Sequence, residues 1–167
     1  MCGTLWALAA DAVTQKECQQ HGMLPLLVAL LVRSEAAETE ESALEAGVLQ
    51  QCLGALWGVT MDWHIDLAGV DFLQMFNCLL RAISLSNKSY RTRLCAAGAL
   101  RNLCEIGVIR HCLDDGQCAA SGLARLRQIN DKVDDSRMTG FLSPTIQILE
   151  GAENRTRVGT RRVTAVK

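Results

Sequence analysis

The sequence predicts an all-α fold assembled from repeated helical units, and three observations carry that expectation. Leu and Ala dominate a chain that is 49% hydrophobic yet only 4% aromatic, with two prolines, Pro25 and Pro144. That composition suits helices and suits strands poorly. A Gly-x-Leu motif recurs as Gly3-Thr4-Leu5-Trp6, Gly54-Ala55-Leu56-Trp57 and Gly98-Ala99-Leu100. Glycines also close short polar-apolar segments at 22, 69 and 116, each 47 positions after the one before. Two unrelated landmarks returning at nearly one interval mark internal repeats.

Size and charge bound the remaining possibilities. A chain of 167 residues makes one domain with room for a sizeable core, and its apolar fraction excludes disorder. The formal net charge of −1 points to no acidic or basic partner. The longest apolar run, Met23 to Val32, is half of what a bilayer span needs, so no membrane insertion is expected. No basic residue precedes the modest apolar stretch of the N-terminus, which argues against a signal peptide. The eight cysteines are therefore expected as thiols in a reducing, cytoplasmic setting, with a nuclear one also compatible.

Taken in order, each unit reads as a short first helix ending at glycine, a second helix of about ten residues, a polar loop and a longer third helix. The chain opens within a third helix, Gly3 to Ala12, so the first unit is incomplete. Stacked repeats cover one another's faces, and Leu5, Leu8 and Val13 are expected to be partly uncovered or docked on a partner. Gly22 precedes the apolar run of a second helix, with Pro25 in its first turn where a missing N–H costs nothing. Ser34 to Glu45 is the first loop; its glutamates 35, 38, 40, 41 and 45 suit the positive end of the helix that follows. After Gly69, Val70 to Leu80 forms the next second helix, and Ser86-Asn87-Lys88 marks its loop. Asn130 to Ser136 is the third loop, and Ser143-Pro144 looks like a cap and first residue opening a helix over 145–150. The repeat domain is thus expected over 1–150. A basic, flexible tail follows over 151–167, with Arg155, Arg157, Arg161, Arg162 and Lys167 against Glu153.

These residues resemble the armadillo repeat family, whose units have three helices and about 42 residues. The second-helix pattern matches at Gly22 to Leu31, and Cys95 to Cys104 (CAAGALRNLC) is close to the third-helix consensus. The resemblance covers about residues 2 to 130, with a degraded unit at Gly116; two-helix HEAT repeats are the nearest rival. It implies a right-handed α-solenoid of about three units, in which the outer face of the third helices lines a groove for extended peptides.

Helical geometry assigns the faces independently: Leu100, Leu103 and Cys104 point inward, Gly98 and Asn102 outward. The resemblance places Asn102 at the family's groove asparagine, whose amide can bond a peptide's N–H and C=O together. Ala7 and Gly58 hold that place in the other copies. Gly3, Gly54 and Gly98 stand where import receptors of the alpha type carry tryptophan, so a nuclear-signal ladder is not implied. Candidate partner-binding residues are Asn102, Arg101, Trp57, Trp6, Gly98 and Glu105. For Trp6 and Trp57 the competing reading is packing between adjacent units.

Cys104, Cys112 and Cys118 are spaced 8 and 6 residues apart and no C-x-x-C occurs, which disfavours a zinc site. In the repeat register Cys78 falls on Leu31 and Cys104 on Thr60 and Ala9, as small core residues do. His64 and His111 share the register of Glu17, a place for an exposed polar residue. No nucleophile triad, phosphate loop or carboxylate pair stands out. The expected function is a non-enzymatic protein–protein interaction scaffold binding a partner segment along the third-helix face, with no cofactor, metal, small-molecule substrate or nucleic acid. The alternative is a structural subunit of a larger assembly, held through uncovered solenoid ends and the basic tail.

Overall fold

The structure is a computed structural model that describes residues 20–36, 43–61, 70–84, 89–106 and 116–164, with single positions at 13, 16 and 17. Among the described residues there are six continuous helices and no strand. They are α1 (Met23–Ala36), α2 (Ala43–Val59), α3 (Phe72–Ser84), α4 (Tyr90–Glu105), α5 (Gly116–Asn130) and α6 (Ser136–Thr164).

Local chemistry sets the starts of these helices. Gly22 has φ +67°, the left-handed conformation that glycine adopts without a Cβ penalty, and it turns the chain into α1. Asp71 caps α3: its carbonyl accepts from the N–H of Met75 and its Oδ1 from the N–H of Gln74 at 2.9 Å. Ser89 caps α4 in the same way through the N–H groups of Arg93 and Thr92. Asp135 caps α6 through those of Thr139 and Met138. Each cap satisfies donors that the first helical turn leaves unpaired.

The helices associate as three pairs, α1 with α2, α3 with α4 and α5 with α6. Successive pairs touch like to like: α2 packs on α4 and α4 on α6, while α1 packs on α3 and α3 on α5. The result is two layers: α1, α3 and α5, which fall where second helices were expected, and α2, α4 and α6, where third helices were expected. Four hydrogen bonds within the third-helix layer join residues 39, 42, 45 and 45 positions apart. Partners at such similar separations along successive helices place α2, α4 and α6 parallel.

One continuous core runs between the layers and takes residues from all six helices, including Leu53, Phe76, Leu79, Leu100, Leu103, Leu126 and Leu142. Each such side chain contributes roughly 1.5–3 kcal/mol on leaving water. The register expected from the repeats appears in the burial: Leu31 and Cys78 are both buried, as are Thr60 and Cys104. Inward-facing Leu100, Leu103 and Cys104 are fully buried, as the helical geometry requires.

Several boundaries differ from the sequence expectation. The glutamate-rich stretch 34–45 is not all loop, because α1 continues to Ala36 and α2 starts at Ala43. Gly116 is the first residue of α5, and the segment before it that it was expected to close lies outside the described residues. Ser143-Pro144 opens no helix and lies within α6, which is already capped by Asp135. Ser143 instead donates to Asn130 Oδ1 of α5. Proline inside a helix deletes the bond to the carbonyl four residues back, here that of Gly140, an exposed residue. α6 also continues through the expected boundary at 150 to Thr164, so most of the basic segment is helical. Gly69, the loop at 86–88, His64, His111 and Cys112 lie outside the described residues.

Candidate functional site

The third-helix layer is held together at three levels, and these levels decide what its outer face offers. Near the starts of the helices, Ser89 Oγ donates to Gln50 Oε1 at 3.1 Å, and Tyr90 Oη donates to Asp135 Oδ1 at 2.8 Å. α4 is thereby tied to α2 on one side and to the cap of α6 on the other. The N–H of Met138 and the Tyr90 hydroxyl hold the Asp135 carboxyl below the usual carboxylate range. The hydrogen bond to Asp135 conversely pushes the Tyr90 phenol up.

At mid-layer, Trp57 of α2 lies across Gly98 of α4 and meets Phe141 of α6 edge to face, with centroids 5.3 Å apart and rings inclined by 85°. A Cβ on Gly98 would sit 2.5 Å from Trp57 Cε2 and 2.7 Å from Nε1. Only a residue without a side chain lets the indole lie this close to the helix. Trp57 thus spans α4 and reaches α6. Gly98 does not point outward as expected: it is buried beneath this ring.

Beyond Gly98 the face becomes polar. Asn102 Nδ2 donates to Trp57 O and to Thr60 Oγ1, both at 3.3 Å, while Thr60 Oγ1 donates to Trp57 O at 3.0 Å. The asparagine therefore serves the Trp57 carbonyl in the last turn of α2, where helix carbonyls lack the usual partner four residues on. Arg101 Nε pairs with Glu105 Oε1 at 3.0 Å, one turn on, with about a third of each side chain exposed. Trp57, Arg101, Asn102, Glu105 and Phe141 are all half-buried, so one strip of the layer presents an aromatic pair, an ion pair and an amide. Trp6 lies outside the described residues.

Phe141 is the site residue that sequence reading missed. Its signal was present as Gly140-Phe141-Leu142, a further Gly-x-Leu copy 42 residues after Gly98. Pro144 stands where Asn102 does, and this hid the match.

Cys52, Cys78, Cys95 and Cys104 are buried thiols, and burial pushes the Cys95 thiol up despite the opposing charge of Arg91. A raised thiol is a poor nucleophile near neutral pH. Among the described residues no group of three or more His, Cys, Asp and Glu is placed to hold a metal ion. No helix among them is long and apolar enough to cross a membrane. Comparison of the chain with protein-family models, with curated proteins and with solved structures finds no match.

Proposed function

We propose that this chain is a non-enzymatic scaffold of armadillo-like repeats that binds an extended segment of a partner protein along the third-helix face of α2, α4 and α6. The observation that carries the reading is the strip formed by Trp57, Phe141, Arg101, Glu105 and Asn102, assembled from three parallel helices at steps of one repeat. A peptide lying across such a strip meets an aromatic surface, a charged pair and a hydrogen-bonding amide in turn. Tryptophan and arginine are the side chains that most often anchor interfaces. The two Asn102 bonds, at 3.3 Å, are longer than the usual N–H···O distance. Exchanging them for a peptide carbonyl costs little, so the amide can serve α2 in the free protein and a partner in the complex.

Photocrosslinking tests this reading. A benzoylphenylalanine placed at Arg101 of the full chain should capture a partner that the same probe at Leu73, on the second-helix layer, does not. The captured segment, once purified, should bind at least tenfold more weakly to the Arg101→Ala/Asn102→Ala double variant, with helicity unchanged. Unaltered affinity would reject the assignment.

A second reading, a structural subunit held by its other layer, is favoured by one observation. Leu26 and Leu30 of α1 and Leu73 of α3 are exposed on adjacent second helices, Leu26 by 64%. Capture from position 73 and not from 101 is its signature.

A further inference from the structure

A basic cleft lies outside the strip just described, where the C-terminal ends of α3 and α5 meet the first turn of α4. Ser84, Arg93, Arg125, Gln128, Ile129, Lys132 and Val133 line a cleft of about 360 Å³ there. That volume falls at the lower end of the range for pockets that hold small ligands. Its described lining carries three cations and no carboxylate; Asp131 and Asp134 neighbour Lys132 in sequence but do not line it.

The cations have different commitments. Arg93 is fixed in place because its Nε donates to the carbonyl of Ile83 at 2.9 Å, in the last turn of α3. Arg125 and Lys132 are exposed and make no ion pair among the described residues. The bland account is that all three merely offset the negative ends of α3 and α5. Magnitudes argue against it. Each helix end carries about half a negative charge, and the start of α4 carries about half a positive one. Three full cations leave an excess of about two and a half positive charges, enough to balance the roughly −1.5 to −2 of a phosphate monoester near neutral pH. Arginine also presents its N–H groups as a fork matched to phosphate oxygens. The apolar wall of Ile129 and Val133 suits the carbon-bearing part of such a group.

We propose that this cleft binds a phosphate monoester, with Arg93 and Arg125 on the phosphate oxygens, Lys132 as a supporting charge, and Ile129 and Val133 against the attached organic portion. The assignment is independent of the partner-binding strip. A phosphorylated protein side chain and a small free monoester share this chemistry, and the probes below separate them.

Amide chemical shifts of the full chain are followed during titration with phenyl phosphate, with phenylacetate, with a phosphoserine-containing tripeptide, and with sodium chloride at matched ionic strength. Saturable shifts confined to Ser84, Gln128, Ile129 and Val133 are expected with phenyl phosphate, at least tenfold tighter than with phenylacetate. Tighter binding of the tripeptide than of phenyl phosphate assigns a phosphorylated protein as the source; the reverse order assigns a small monoester. Arg125→Gln/Lys132→Gln, at two exposed positions, should weaken binding at least tenfold while leaving the melting temperature in place. Shifts reproduced by sodium chloride alone, or a double variant that binds as tightly as the parent, would overturn the proposal.

Discussion

Replacing Gly98 by alanine tests the packing of the third-helix layer at its tightest point. The new methyl would lie 2.5–2.7 Å from three atoms of the Trp57 indole, against an ordinary carbon–carbon contact of about 3.5–4.0 Å. The ring has to move by about 1 Å, and Phe141 stands against it on the far side. Overpacking of this kind costs about 1–3 kcal/mol. Against that stands the gain of alanine over glycine in a helix interior, up to about 1 kcal/mol. The net expectation is a loss of about 1–2 kcal/mol. Gly140 provides the control, since it holds the same place in its Gly-x-Leu copy but a Cβ there meets nothing within 4 Å. Gly140→Ala should therefore stabilise by about 0.5–1 kcal/mol. Urea unfolding followed by circular dichroism reads both changes. In a Trp57→Leu background the Gly98→Ala cost should shrink toward zero, which isolates the clash by a double-mutant cycle. A Gly98→Ala variant as stable as Gly140→Ala would refute the reasoning.

Three further outcomes follow from the same structure. In the second-helix layer a Cβ on Gly122 would lie 2.6 Å from Phe76 Cε1, so Gly122→Ala should also lose about 1–2 kcal/mol in urea unfolding. Gln51 Oε1 is buried without a hydrogen-bond partner among the described residues; a group so placed costs about 1–3 kcal/mol, and Gln51→Met should raise the urea midpoint. Asp135 has its folded pKa held below the ordinary 3.8, so its contribution to stability is full above that value and lost as pH falls through the depressed one. The melting-temperature advantage of the parent over Asp135→Asn should therefore disappear on acidification below about pH 4.

How much of this was legible in the sequence depends on which force set each feature. The helical class and the inward faces were readable because burial follows a 3.6-residue period, and Leu100, Leu103 and Cys104 obey it. Leu31 and Cys78, expected in register as small core residues, are both buried. Boundaries were less legible. Ser143-Pro144 has the composition of a helix start, yet Asp135 had already capped the segment and proline was accommodated inside it. The site was half legible. Asn102, Arg101 and Glu105 were named from the sequence, and all three lie on α4 and are half-buried. Their mutual bonds, and the passage of Trp57 over Gly98 to Phe141, depend on helices 40 to 84 residues apart meeting in space. Outward geometry on a single helix cannot show that a neighbour's indole covers a glycine.

The central claim is that α2, α4 and α6 lie side by side at one-repeat steps. Nuclear Overhauser contacts from the Trp57 indole protons test it most directly. The structure predicts cross-peaks to the Gly98 α-protons and to the Phe141 ring, reaching across two helices. An indole whose cross-peaks stay within 43–59 would contradict the stacked layer and remove the recognition strip built on it.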